Sequence, residues 1–193
     1  MRVLVIYAHP VETSYSAALH RATVEALKAS GYEVDDCDLY AENFNPVMSR
    51  QERIDYHDEA ICTKPVQAYV DRLRAADGLV LVNPVWNYGY PAILKGFFDR
   101  VFLPGVSFRL ENGKVAPNLQ HIRRIAAVTT YGGTRLRSML MGDSPRRQFK
   151  RTLRLLVHPM ARSTYLALYD MNRNGDAVCA AFLARVSERM RSF

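Results

Sequence analysis

Short runs with strand character alternate along the chain with segments whose apolar residues recur every three or four positions. The helical segments each have the three- and four-residue spacing of an amphipathic helix, and they span 14–30, 65–76, 91–102, 146–156 and 176–191. The strand-like runs are short and mostly apolar, and they span 2–8, 33–39, 78–84, 122–131 and 163–169. This alternation predicts an α/β fold: a five-stranded parallel sheet with right-handed crossovers and helices on both faces, in one domain covering 1–193.

Punctuating residues support several of these boundaries. Thr13 or Ser14 can cap the first helix and Gly31 can end it. Pro91 suits the first turn of a helix, where its missing N–H is not needed. Two stretches have no clear period: 41–62 is interpreted as an ordered excursion, and 104–118 is rich in turn residues.

Composition limits the class of protein. The 193 residues include 49% hydrophobic and 23% charged residues, which is ordinary for a globular domain. No apolar run approaches the ~20 residues that span a bilayer, and the first residues run into a predicted strand without a cleavage site. We therefore expect a cytoplasmic protein with no transmembrane segment. The three cysteines are far apart, which predicts reduced thiols, no disulfide and no metal site: Cys37, Cys62 and Cys179.

Positive charge is concentrated in one segment. The formal net charge is +7, and the basic segment 135–154 carries +6 of it, from seven Arg and Lys residues against Asp143. A solvated helix face is one interpretation, and recruitment of NAD(P)H phosphates is another. No aromatic residues alternate with the arginines, so nucleic-acid binding is not predicted.

The first candidate site follows the first strand, in His9–Ser16. Hydroxyl groups and free amides at a helix N-terminus form an anion site, although Thr13 and Ser14 can also be simple caps. The chain contains neither the glycine-rich Rossmann turn nor a P-loop. A compact phosphate or diphosphate held by such a loop is therefore the predicted ligand group.

Two further strand ends carry distinctive residues. The loop 83–91 combines Trp86, Asn87, Tyr88 and Gly89, which suits the wall of a flat heteroaromatic ring. At 129–133, paired glycines let the main chain approach a ligand closely. The carboxyl ends of parallel strands meet at one edge of a sheet, so we expect these loops to converge with the first.

With these loops assembled, the sequence resembles the flavodoxin-like NAD(P)H:quinone oxidoreductase family. The resemblance runs from the N-terminus to about residue 133, and its most specific part is Pro91–Phe102. Its other motifs are short and follow in family order: His9 with Thr13–Tyr15, Asp38–Tyr40, Phe44–Pro46 and Gly132–Gly133.

The resemblance implies a sheet of order 2-1-3-4-5, a homodimer, and flavin at the carboxyl edge, with FAD favoured and FMN as the alternative. NADPH or NADH would reduce the flavin, and a quinone-like acceptor would reoxidise it. The phosphate end would be held by His9, Thr13, Tyr15, Ser16 and Ala17. The ring would lie against Pro84, Val85, Trp86, Asn87 and Tyr88, with its polar edge along Thr129, Thr130, Tyr131, Gly132 and Gly133.

The chain departs from the family after the glycine pair. Vertebrate members place a tyrosine and a histidine there, whereas 134–143 contains neither. Tyr131 or a nearby arginine is the candidate replacement for that proton relay. Some family members instead dock on potassium-efflux transporters as ancillary proteins, and the basic segment is the feature that could serve such docking.

Overall fold

Five parallel strands form the central sheet of the computed structural model, which describes residues 1–111 and 113–193. In chain order they are β1 (Arg2–Tyr7), β2 (Glu33–Asp38), β3 (Gly78–Val85), β6 (Arg124–Tyr131) and β7 (Arg162–Leu168). Their spatial order is β2-β1-β3-β6-β7, which confirms the expected 2-1-3-4-5 arrangement. The turn-rich stretch contributes an antiparallel hairpin that we did not predict, formed by β4 (Phe108–Glu111) and β5 (Lys114–Pro117).

The five predicted helices are present with small shifts at their ends. They correspond to α1 (Tyr15–Ala29), α3 (Gln67–Ala75), α4 (Ala92–Val101), α8 (Asp176–Arg191) and a helical stretch at 144–156. That last stretch consists of α6 (Ser144–Arg147), a π-helix (Gln148–Leu153) and α7 (Arg154–Leu156). Two short helices were not predicted: α2 (Arg50–Asp55), inside the excursion 41–62, and α5 (Arg135–Leu140), after the glycine pair.

The alternating side chains of the strands divide the core into two layers. Val3 and Val5 of β1 pack with α1 and α8, whereas Leu4 and Ile6 pack on the opposite face with α3, α4 and the π-helix. Successive residues of a strand point to opposite faces, so a strand that is apolar throughout needs helices on both sides. No helix in the described part of the chain is long and apolar enough to cross a membrane.

Two of the family-like motifs pack on each other. Gly96 of α4 lies against Pro46, so closely that a β-carbon on Gly96 would be 2.5 Å from the Pro46 Cα. Arg100, one turn further along α4, donates to the carbonyl of Asn45 and to the carboxylate of Glu52. The excursion 41–62 is therefore fastened to α4 by close backbone contact and by a largely buried ion pair.

The Glu52–Arg100 pair predicts a pH-dependent loss of stability in Glu52→Gln. Burial raises the pKa of Glu52, but the Ser49 amide and the Arg100 guanidinium outweigh it, and the net pKa is below its ordinary value. The carboxylate therefore stabilises the fold above the ordinary glutamate range and loses that effect as the pH falls through the lowered pKa. We expect Glu52→Gln to cost about 1–3 kcal/mol at pH 7, in urea titrations, and to match the wild type only once the pH has fallen below the lowered pKa of Glu52.

The exposed pair Lys95–Asp99 on the same helix provides the control for this experiment. Exposed ion pairs contribute at most about 1 kcal/mol, so Asp99→Asn should change the unfolding free energy little at either pH. An equal loss at pH 7 and at pH 3 in Glu52→Gln would show that packing, and not charge, accounts for the effect.

Candidate functional site

The loop after β1 leads into the N-terminus of α1, where backbone amides are free. The hydroxyl of Ser14, the N-cap residue, accepts a hydrogen bond from the amide of Ala17 at 3.1 Å, which confirms its capping role. The amides of Tyr15 and Ser16 donate to no acceptor among the residues that the structure describes. These free amides, together with the positive end of a 15-residue helix, form a site suited to an anion.

The side chain of Tyr15 lies toward α8 and away from this anion site. Its hydroxyl donates to the carbonyl oxygen of Cys179 at 2.7 Å. Burial, with a smaller contribution from Cys179, raises the pKa of Tyr15 to about 12. Of the residues predicted at the phosphate end, Tyr15 and Ser16 thus offer free main-chain amides, Thr13 is exposed, and the Ala17 amide is already bonded to Ser14.

His9 joins the first loop to the second. Its Nδ1 accepts a hydrogen bond from the Val11 amide at 3.1 Å, and its ring meets Trp86 edge-on with centroids 5.6 Å apart. β1 and β3 are neighbours, and the chain reverses its direction of travel across the sheet between them. The His9–Trp86 contact therefore lies at the topological switch point, where open α/β sheets bind their ligands.

A tight turn fixes the second loop at the end of β3. Trp86 and Gly89 exchange two backbone hydrogen bonds, of 3.1 and 2.9 Å. Between them Asn87 and Tyr88 have positive φ angles of 48° and 58°, a conformation that costs about 1–3 kcal/mol for a residue with a side chain. The fold holds this strained turn in place, and it leaves Trp86 42% exposed at the edge of the sheet.

The third loop presents two free amides directly after β6. The amides of Gly132 and Gly133 donate to no acceptor in the described part of the chain. The Gly133 carbonyl accepts from the Asp170 amide at 2.8 Å, which attaches the turn to the end of β7. A β-carbon on Gly132 would lie 3.1 Å from Nδ2 of Asn172. The glycine turn is therefore anchored on one side while its donors remain available.

Three buried polar atoms near these loops have no hydrogen-bond partner among the described residues. They are the hydroxyl oxygen of Tyr7, at the end of β1, Oδ1 of Asn83, near the end of β3, and Oγ1 of Thr129, near the end of β6. Asn83 and Thr129 are paired in the register of the neighbouring strands β3 and β6. A buried polar atom without a hydrogen bond costs about 1–3 kcal/mol, so such atoms mark a place for a missing partner. The edge thus fits a flat ring with polar groups, as a flavin has.

Tyr131 points into a polar cluster under α6. Its hydroxyl, in a side chain 2% exposed, donates to Oδ1 of Asp143 at 2.7 Å and lies 2.6 Å from the hydroxyl of Tyr165. Its ring stacks on Tyr169 with centroids 4.4 Å apart. Burial first, and then the contacts with Tyr165 and Asp143, raise the pKa of Tyr131 far above its usual range. This phenol therefore remains protonated, and the relay role suggested by the sequence stays a prediction.

Sequence reasoning missed the partners of Tyr131. Asp143 lies at the N-cap position of α6 in a left-handed conformation (φ 41°), without a side-chain capping bond, and Tyr165 lies within β7. Arg146 completes the cluster, with its guanidinium over the Tyr165 ring and one N–H donated to the Tyr169 hydroxyl at 3.2 Å. The one readable signal was that Asp143 is the single acid in the basic segment. Nothing in its spacing from Tyr131 indicates that the two side chains meet.

Of two cavities in the described structure, one lies beside the first loop and the other lies away from all three loops. One of about 380 Å³ opens beside the first loop and is lined by Tyr7, His9, Ala17, His20 and Asp38, among others. A larger one of about 640 Å³ lies between α2, α4, the hairpin and the π-helix, and contains none of the predicted site residues. We place the functional site at the sheet edge because the free amides and the unpartnered polar atoms are there.

The basic segment begins with α5, an exposed helix that follows the glycine turn. None of its Arg and Lys residues forms an ion pair within the described residues. Apolar side chains are also exposed on and just after α5, each more than half accessible: Leu136, Met139, Leu140 and Met141. An exposed apolar patch of this kind marks a binding surface more often than chance exposure does.

Comparison with known proteins agrees with the fold. A family model described as a flavodoxin-like fold matches residues 1–186 of the 193. NAD(P)H dehydrogenase [quinone] 1 of Rattus norvegicus is 33% identical over 154 residues, which cover 72% of this chain and 56% of the rat protein. The chain thus spans little more than half the length of this curated relative.

Two solved structures share the fold over nearly the whole chain. Smu.1420 from Streptococcus mutans UA159 superposes with a TM-score of 0.84, at 26% identity and with complete coverage of both chains. An NAD(P)H:quinone oxidoreductase from Methanothermobacter marburgensis also reaches 0.84, at 24% identity, covering 99% of this chain and 98% of that one. With the sheet order and the family match, these findings show that the chain belongs to the flavodoxin-like fold family.

Proposed function

We propose that this chain is a flavin-dependent NAD(P)H:quinone oxidoreductase. A bound flavin would supply the hydride chemistry, with N5 as the hydride carrier between a nicotinamide and a quinone-like acceptor that use the same pocket in turn. One observation carries the proposal. Free backbone donors follow two strands that end at the same edge of the sheet, with Tyr15 and Ser16 at the start of α1 and Gly132 and Gly133 at the end of β6.

The first of these groups suits the phosphate end of the cofactor. The amides of Tyr15 and Ser16 and the helix dipole attract an anion, and the exposed hydroxyl of Thr13 adds a donor at the same helix end. His9 is held by the Val11 amide through Nδ1, which leaves Nε2 for the ligand. These residues bind and orient the cofactor, and they take no part in the hydride transfer.

The second and third loops suit the ring. Pro84, Val85 and the turn from Trp86 to Tyr88 form a wall whose backbone is fixed before any ligand arrives. The amides of Gly132 and Gly133 can donate to the polar pyrimidine edge, where reduction places negative charge. Fixed donors aimed at developing charge are among the largest contributions to catalysis. Thr129 and Thr130, at the end of β6, position this turn.

Other residues bear on the acceptor, the oligomeric state and the choice of cofactor. The exposed apolar side chains of α5 next to the glycine turn favour a flat, apolar acceptor such as a quinone. They also favour a homodimer in which a second copy covers this surface. The resemblance in Phe44–Pro46 favours FAD over FMN, and the unpaired arginines of the basic segment favour NADPH over NADH.

The test is a visible absorption spectrum of the purified protein, followed by release and chromatography of the cofactor. We expect oxidised-flavin bands that bleach with NADPH and return with a quinone, FAD in the eluate, and a light-scattering mass of two chains. Release of FMN would replace FAD and leave the oxidoreductase proposal intact.

A colourless protein that takes up neither FAD nor FMN would overturn the proposal. It would favour the alternative in which the fold serves as an ancillary subunit on a potassium-efflux transporter, docked through the unpaired cations of the basic segment. Co-purification with such a transporter, in place of a free dimer with rapid turnover, would then be the expected result.

A further inference from the structure

One arginine lies directly over the glycine turn. Arg137 is the third residue of α5, and its amide donates to the hydroxyl of the cap residue Thr134 at 3.3 Å. Helical side chains point back toward the N-terminus of their helix. Its Cδ accordingly lies 3.8 Å from the position that a β-carbon on Gly133 would occupy. The long side chain therefore starts beside the two free amides.

No carboxylate among the described residues neutralises this guanidinium. Arg137 is exposed and forms no ion pair in the described part of the chain. The single acid of the basic segment, Asp143, is 7% exposed and accepts its hydrogen bond from Tyr131. The positive charge of Arg137 is thus available to a ligand at the sheet edge.

Hydrogen bonds hold the backbone in place on both sides of Arg137. The Ser138 hydroxyl donates to the Thr134 carbonyl at 3.1 Å, and the Asp143 amide donates to the Ser138 carbonyl at 2.9 Å. The Gly133 carbonyl is tied to Asp170. The backbone that carries Arg137 is therefore fixed relative to the glycine turn, and only its side chain must adjust to a ligand.

The Tyr131 hydroxyl is the other group near this edge that could stabilise negative charge, but it already forms hydrogen bonds within the protein. The hydroxyl of Tyr131 has one proton, which it donates to Asp143, while Tyr165 lies on its other side. Moving this proton toward the glycine turn would break a buried hydrogen bond to a carboxylate. The guanidinium of Arg137 forms no ion pair among the described residues, so contact with a ligand would break none.

We propose that Arg137 contacts the pyrimidine edge of the bound flavin and stabilises the negative charge that two-electron reduction places there. This inference rests on the proposed function. A guanidinium is always protonated and offers a planar set of donors, so it suits an N–C=O edge.

The test compares Arg137→Gln with Arg137→Lys and with Arg135→Gln, which removes the same charge from the same helix. The first readout is the midpoint potential of the bound flavin. We expect Arg137→Gln to stabilise the reduced form about tenfold less, a shift of about 30 mV to more negative potential in a two-electron couple. Arg137→Lys should retain most of the potential, and Arg135→Gln should match the wild type.

Sulfite titration gives a second readout that does not depend on turnover. Sulfite adds to oxidised flavin at N5 and leaves negative charge on the same edge, so its dissociation constant should rise about tenfold in Arg137→Gln only. An unchanged potential and sulfite affinity would overturn the inference. An equal shift in Arg135→Gln would do so too, because it would indicate a general field from the basic segment.

Two other outcomes separate this inference from the proposed function. A shift in Tyr131→Phe with none in Arg137→Gln would assign the charge to the tyrosine cluster and overturn the role of Arg137 alone. A wild-type protein that binds no flavin would contradict the proposed function before any Arg137 variant is measured.

Discussion

Gly132→Val is expected to weaken flavin binding at least hundredfold while leaving the fold nearly intact. The valine side chain would stand on the turn that carries the free amides of Gly132 and Gly133, and we expect it to obstruct the close approach of a ring to them. Loss of these donors and of the close approach together costs about 3 kcal/mol, which corresponds to about two powers of ten in the dissociation constant. Titration of the flavin-free protein with FAD, followed by fluorescence, measures the change.

The fold should tolerate this substitution for two reasons. Gly132 does not have a positive φ angle, so a residue with a side chain can adopt its backbone conformation. Its β-carbon would meet the Asn172 side chain at 3.1 Å, and that side chain is exposed and can turn away. The thermal midpoint of the flavin-free variant should therefore remain close to that of the wild type.

Two control variants make the result specific. Asn172→Ala removes the neighbouring side chain without entering the approach path, so it should bind flavin with nearly wild-type affinity. Gly175→Ala adds a methyl group where nothing lies within 4 Å, at the N-cap of α8, and should leave flavin binding unchanged. Wild-type affinity in Gly132→Val would remove the glycine turn from the candidate site.

The core strands and helices could be predicted because their burial is recorded in the spacing of apolar residues. β3 is buried along nearly its whole length and α1 buries one face, and both patterns are visible in the sequence. The hairpin of β4 and β5 is mostly exposed on both faces. It therefore has no alternation of buried and exposed positions to recognise, although Asn112-Gly113 is a turn signal of the kind that joins hairpin strands.

The sequence analysis missed α2 and α5 for different reasons. α2 begins with a capping box in which Ser49 and Glu52 bond reciprocally, and this signal was readable in the sequence. α5 could not be found by its apolar residues, because Leu136 and Leu140 face solvent and describe no buried side. An amphipathic helix is recognised from the apolar residues on its buried face. A helix whose apolar side chains are exposed lacks that pattern.

The candidate site divides in the same way. His9, Trp86 and Gly132 could be proposed from the sequence because each follows a strand that ends at the same edge. The bond between Tyr131 and Asp143 could not, since it depends on the path of the segment between them. The position of Arg137 over Gly133 likewise depends on α5, which was not predicted.

Gly96→Ala is expected to produce the largest loss of stability among single-methyl substitutions at the glycines of this chain. The new β-carbon would overlap the carbonyl oxygen and Cβ of Pro46 and lie 2.5 Å from its Cα. Most of these atoms belong to the backbone, so no side-chain rotation relieves the contact, and α4 must move away from the excursion 41–62. That movement would also stretch the bonds from Arg100 to Asn45 and Glu52.

The net loss follows from two opposing effects. Overpacking costs about 1–3 kcal/mol, and weakening the buried ion pair adds to it, whereas alanine improves helix propensity by about 1 kcal/mol. We expect a loss of about 2–3 kcal/mol, which for a chain of this size lowers the thermal midpoint by about 5–10 °C. Circular dichroism melts of flavin-free protein measure it. Gly175→Ala is the control: its new methyl group meets no neighbour, and it should cost at most about 1 kcal/mol for the exchange at the N-cap of α8. A Gly96→Ala protein as stable as the wild type would mean that α4 and Pro46 are not in contact in solution, and the packing of the two motifs would have to be abandoned.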